Sequence, residues 1–82
     1  MDKIRVGFIG CGGNASGHVG RVLAMGECAV VALCDVDSAM LFGAADMVAK
    51  RQKSGKRPKT YGDYRRLLKE NKLDLVLIAT PD

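Results

Sequence analysis

The sequence predicts an α/β fold in which a doubly wound parallel sheet is covered by helices on both faces. Three observations predict it. Four short runs rich in branched apolar residues alternate with stretches of helical periodicity, the pattern of parallel strands joined by right-handed crossovers. One of those runs, Ala29 to Cys34, is apolar without alternation, as suits a strand buried on both sides. Six of the ten glycines fall between positions 7 and 20, where the first strand turns into the first helix.

Each element has its own justification. Ile4 to Ile9 is a β-branched, apolar strand in which Gly7 lets a neighbour pack closely. Past the glycine turn, Val19, Val22 and Leu23 share a helical face with Ala15, and Gly26 supplies a C-terminal stop. The second strand, Ala29 to Cys34, ends at Asp35 and Asp37. Ser38 is expected to cap the next helix by accepting a hydrogen bond from an early amide. Leu41, Ala44, Ala45 and Val48 then form an i, i+3, i+4, i+7 stripe for the core. That helix frays into a basic run and stops before Pro58. A short strand is expected at Lys59 to Tyr61. Asp63 caps a third helix, with Tyr64, Leu67 and Leu68 turned inward and Asn71 closing its end. Leu73 to Ala79 is the fourth strand, ended by Thr80-Pro81. No repeat or low-complexity segment interrupts this βαβαβαβ order. Connectivity alone leaves the strand order open; if the chain is the first half of a Rossmann-like dinucleotide-binding fold, the order is 3-2-1-4.

Composition bounds the rest. Eighty-two residues make at most one small domain, and a chain of that size buries roughly 60 to 65% of its unfolded surface. Residues 1–82 are expected to be the N-terminal part of a dinucleotide-binding domain, with the catalytic and substrate domain absent. The longest apolar run, Cys28 to Cys34, has seven residues, against the roughly 20 that a spanning helix needs. Asp2 and the interrupting glycines do not fit a signal peptide. Three cysteines without a C-x-x-C pair fit reduced thiols in the cytoplasm, and no metal site is assigned. Cys11 reads as a small filler in the turn. The net charge of +4 is local, because six of the thirteen basic residues lie between Lys50 and Lys59 with no acid among them. That run has no aromatic and is broken by Gly55 and Pro58. It therefore reads as a solvated helix end and loop, not as a nucleic-acid surface.

The glycine turn carries the chemistry. Gly10, Gly12 and Ala15 fit G-x-G-x-x-(G/A) between a strand and a helix. Gly10 permits the tight turn, Gly12 leaves room for a pyrophosphate against the backbone, and Ala15 lets the helix pack on the strand. Amides from Gly12 through Gly13 and Asn14 to Ala15 would point at the anion, helped by a helix dipole worth roughly 0.3 to 1 kcal/mol. A glycine turn also serves plain tight packing; the flanking strand and helix give this one its functional reading. Asp35 lies 20 residues past Ala15 at the end of the next strand, where a carboxylate accepts the ribose hydroxyls of an adenosine. A second negative charge about 4 Å away would be repelled by roughly 1 kcal/mol in water and 4 at intermediate screening. Nothing from Val36 to Met40 is basic, so NAD is favoured over NADP, with the Lys50 to Lys59 run the one source of a countercharge for NADP. His18, one turn into the first helix, shows no catalytic partner. Tyr61 and Tyr64 read as a core and a helix-entry residue.

Taken together, Ile4 to Gly13, Val31 to Asp35, Tyr61-Gly62-Asp63-Tyr64 with Leu67-Leu68, and Leu73 to Val76 leading to Ala79-Thr80-Pro81 resemble one family. It is the Gfo/Idh/MocA oxidoreductases, named for glucose-fructose oxidoreductase, inositol dehydrogenase and a rhizopine-catabolism protein. The similarity covers the whole chain but only the front part of a family member. It implies a nicotinamide-dependent dehydrogenase that acts on a sugar, inositol or related polyol, homo-oligomeric in its full form. It also implies that Thr80 and Pro81 border the nicotinamide side of the cofactor. The family's catalytic lysine, in a Glu-Lys-Pro motif after the following strand, would lie beyond Asp82, so this stretch carries no catalytic residue of its own. Asn14 departs from the apolar residue more usual in that turn. A methyltransferase would place an acid just ahead of the first glycine, where Ile9 stands here. A non-catalytic NAD(H) sensor is the alternative from a different class, and the next stretch of chain separates the two.

Overall fold

The computed structural model describes residues 3–10, 14–52 and 54–78. Four strands, β1 (Ile4–Ile9), β2 (Cys28–Cys34), β3 (Lys59–Tyr61) and β4 (Leu75–Ile78), form one sheet in the order β3-β2-β1-β4. Every pairing is parallel. Helices α1 (Asn14–Ala24), α2 (Ser38–Arg51) and α3 (Tyr64–Glu70) form the crossovers. The expected Rossmann-like half-fold and its strand order are borne out.

Both faces of the central strands are covered, and a bulge decides how. The register of β1 on β2 runs Val6 to Val30 and then Gly7 to Ala32, which leaves Val31 as an extra residue. Three positions along an unbroken strand would put Val30 and Leu33 on opposite faces; the extra residue restores them to one. Val30 and Leu33 accordingly join Val6, Phe8, Val19, Val22, Leu41, Ala45 and Val48 in the core beneath α1 and α2. Ala32 and Cys34 face the other way, with Tyr61 and Leu67 of the α3 side. A Cβ on Gly7 would stand 2.8 Å from Leu73 Cδ1 and 3.3 Å from Leu67 Cδ2, so the glycine does admit a neighbour closely.

Several boundaries move from the sequence expectation. β2 begins at Cys28, one residue early. The cap of α2 is Asp37, not Ser38, because the Asp37 carboxylate accepts from Ala39 N and Met40 N while Ser38 is already helical. The α2 stripe is buried as expected, and Gly26, at φ +73°, follows α1 as its stop. Asp63 caps α3 through Arg65 N, and Asn71 Nδ2 donates to Leu67 O at 2.8 Å to close it. Only Leu67 of α3 is buried; Tyr64 and Leu68 are 52% and 46% exposed. A seven-residue helix makes less than two turns, and only one of its apolar positions meets the sheet squarely. β4 starts at Leu75 because Asp74 is used otherwise. Its carboxylate accepts from Arg5 N and its amide donates to Arg5 O, both at 2.8 Å, which pins β4 beside β1. Ala79 lies outside the described residues.

Candidate functional site

The C-terminal ends of β1 and β2 stand side by side. Ile9 is in register with Cys34, and Gly10 N donates to Cys34 O at 2.8 Å, one step beyond the strand. Gly10 then turns at φ +94°, in the left-handed region that favours glycine. On the far side of β2, Asp35 N donates to Tyr61 O at 3.1 Å, extending the ladder to β3. Asp35 is thus fixed from its backbone, and its Oδ1 accepts from Asp37 N at 3.0 Å in a side-chain turn. The two neighbouring acids divide the labour: Asp35 holds the strand end and Asp37 caps α2.

Gly10 and Asp35 are therefore brought together on adjacent strands at one edge of the sheet. Asn14 and Ala15 open α1 directly after the turn. Gly12 and Gly13 lie outside the described residues, as do Cys11, Thr80 and Pro81. β4 reaches the same edge, with Ile78 in register beside Ile9. Strand order reverses between β1 and β4, and in open α/β sheets ligands bind in the crevice at such a switch point. Among the described residues, three features of a dinucleotide site meet there. A glycine takes the left-handed turn, a helix begins at the strand end, and a carboxylate closes the neighbouring strand.

Two carboxylates, those of Asp35 and Asp63, stand near the Cys34 thiol. Burial pushes the Cys34 thiol up, and the nearby carboxylates of Asp35 and Asp63 push it further, so the thiol stays protonated. The Arg65 amide and guanidinium hold the Asp63 carboxyl below the ordinary carboxylate range. Lys56, Arg57 and Lys59 line a cleft where β2 and β3 begin, at the opposite end of the sheet; Lys53 lies outside the described residues.

One structural side chain went unread in the sequence. Gln52, 8% exposed, accepts from Val30 N at 2.7 Å and donates to Val30 O at 3.4 Å and Lys56 O at 3.2 Å. Its only signal was a neutral amide inside a run of charges.

No protein-family model matches the chain. Among curated proteins it is similar to a glycosyl hydrolase family 109 protein of Akkermansia muciniphila, 38% identical over 83 residues, covering 96% of this chain and 17% of that protein. The chain thus spans less than a fifth of the length of that relative. Among solved structures it resembles the WlbA dehydrogenase from Chromobacterium violaceum, solved in complex with NADH and UDP-GlcNAcA, with a TM-score of 0.84 and 24% identity over 99% of this chain and 21% of that one. It also resembles the myo-inositol dehydrogenase from Lactobacillus casei, solved with NAD(H) and myo-inositol, with a TM-score of 0.80 and 25% identity over 95% of this chain and 22% of that one. Among the described residues no helix is long and apolar enough to cross a membrane. The chain has a Rossmann-like fold that it shares with these dehydrogenases.

Proposed function

We propose that this chain is the cofactor-binding front of an NAD-dependent oxidoreductase of the Gfo/Idh/MocA family. The full protein would transfer a hydride between the nicotinamide and a sugar, inositol or related polyol. The observation that carries the reading is the placement of Gly10 beside the end of β2, which Asp35 directly follows, at the edge where strand order reverses. In this reading Gly10, Gly12 and Gly13, with the first amides of α1 at Asn14 and Ala15, cradle the pyrophosphate. Asp35 accepts the adenosine ribose hydroxyls, and Thr80 and Pro81 border the nicotinamide. The bound nicotinamide supplies the hydride acceptor or donor; this chain's residues bind and orient it. NAD is favoured over NADP because Asp35 would stand against a 2′-phosphate while Lys56, Arg57 and Lys59 sit at the other end of the sheet.

The relative named as a glycosyl hydrolase favours a second reading of the full protein, in which the same cofactor site serves glycoside cleavage. Some glycoside hydrolases depend on NAD and depart from the two-carboxylate scheme. Titrating the full-length protein with NADH while following nicotinamide fluorescence tests the cofactor site. Saturable enhancement is expected, weaker with NADPH. No response to either cofactor would overturn the assignment. Turnover separates the two readings: a dehydrogenase accumulates NADH from NAD and a polyol, whereas an NAD-dependent hydrolase releases sugar from a glycoside with no net NADH.

A further inference from the structure

The end of the sheet opposite Gly10 and Asp35 carries a second concave surface. A cleft of about 410 Å³ opens where β1, β2 and β3 begin, and Lys3, Arg5, Lys56, Arg57 and Lys59 contribute to its wall. Glu70 is the acid among its described lining residues, and it is engaged by Arg66 Nε at 2.9 Å. Two of the cations are also committed: Arg5 Nε donates to Lys72 O at 2.6 Å and Arg57 pairs with Asp46. Lys3, Lys56 and Lys59 make no ion pair with any described residue.

The loop that carries Lys56 is held in place. Gly55 N donates to Gln52 O at 2.9 Å, Lys56 N donates to Ser54 Oγ at 3.2 Å, and the buried Gln52 amide ties Lys56 O to β2. Uncompensated like charges around one cavity repel each other and focus a positive potential into it. The volume falls in the range of small-molecule pockets, and lysine binds phosphoryl groups as a point charge. We propose that this cleft binds a compact polyanion of the phosphoryl class, at a site separate from the dinucleotide and independent of it.

Calorimetric titration of the full-length protein with inorganic pyrophosphate, at low ionic strength and with NADH present to fill the glycine turn, tests this. Saturable binding is expected. Lys56→Glu and Lys59→Glu should each weaken it by roughly tenfold, given two unit charges a few ångströms apart, and leave NADH affinity unchanged. Both side chains are exposed, and thermal melting checks that the variants fold. Lys3→Glu, on the other side of the cleft, repeats the test from a different element. Absence of saturable uptake, or uptake that all three reversals leave unaltered, would overturn the proposal. So would charge-dependent retention of duplex DNA in place of pyrophosphate. If NADH itself does not bind, the reversals still report on this cleft, so the two proposals fail separately.

Discussion

The Gln52 amide occupies the place beside Val30 that a longer β3 would fill. β3 pairs with β2 only from Ala32 and Lys59 onward, so Val30 would present an amide and a carbonyl to that edge without a partner strand. Gln52 meets both with one side chain. Gln52→Ala should therefore lower the unfolding free energy by about 1 to 3 kcal/mol, the cost of leaving buried polar groups unpaired. Urea denaturation reads this as a lower midpoint at unchanged slope, and a change within error would refute the role. A neutral amide among charges is too weak a signal to reveal this role in the sequence, because its partner lies 22 residues away and is set by where β3 begins. Asp35 was legible for the opposite reason: its position depends on a local count from the glycine turn to the end of the next strand. Residues defined by their own segment can be read from one sequence; those defined by a gap in another segment cannot.

The same distinction operates on whole elements. The α2 stripe of Leu41, Ala44, Ala45 and Val48 was readable because fourteen residues give a periodic signal room to repeat. α3 has seven residues, too few for periodicity to separate the inward Leu67 from the exposed Tyr64 and Leu68. Cap placement is finer still. Asp37 and Ser38 are both good capping residues, and the choice fell to Asp37, whose backbone is extended at φ −92° and ψ 107°. Its Oδ1 accepts from Ala39 N at 3.0 Å and Met40 N at 3.1 Å. Asp37→Ala should cost about 1 kcal/mol, whereas Ser38→Ala should be close to neutral, since alanine is the better residue inside a helix. Asp37→Asn should recover most of the loss because the amide oxygen caps equally well. Thermal melts of the three variants order them, and a larger loss at Ser38 than at Asp37 would reverse the assignment.

At the scale of the molecule, the element connectivity left the strand order open and the glycine turn, by marking a dinucleotide-binding half-fold, closed it; the bulge at Val31 adjusted the faces without changing the order. The surface beyond β4 is a different matter. β4 pairs with β1 on one side, and no described strand pairs with its other side. Its residues are apolar throughout, with Leu75 43% and Ile78 69% exposed, and Leu68 of α3 is exposed as well. An uncovered apolar strand offers unpaired amides and carbonyls together with hydrophobic side chains, which makes it a template for pairing with another chain. The 82-residue chain should therefore self-associate. Sedimentation velocity should show larger species as concentration rises, and Ile78→Lys should shift the distribution back toward monomer, because a charge on an edge strand opposes edge-to-edge pairing. Ile78 is largely exposed, so the lysine removes little core packing, and thermal melting should show a midpoint close to that of the parent chain. A monomer at every concentration would show that this edge is not adhesive, and association untouched by Ile78→Lys would move the contact away from β4.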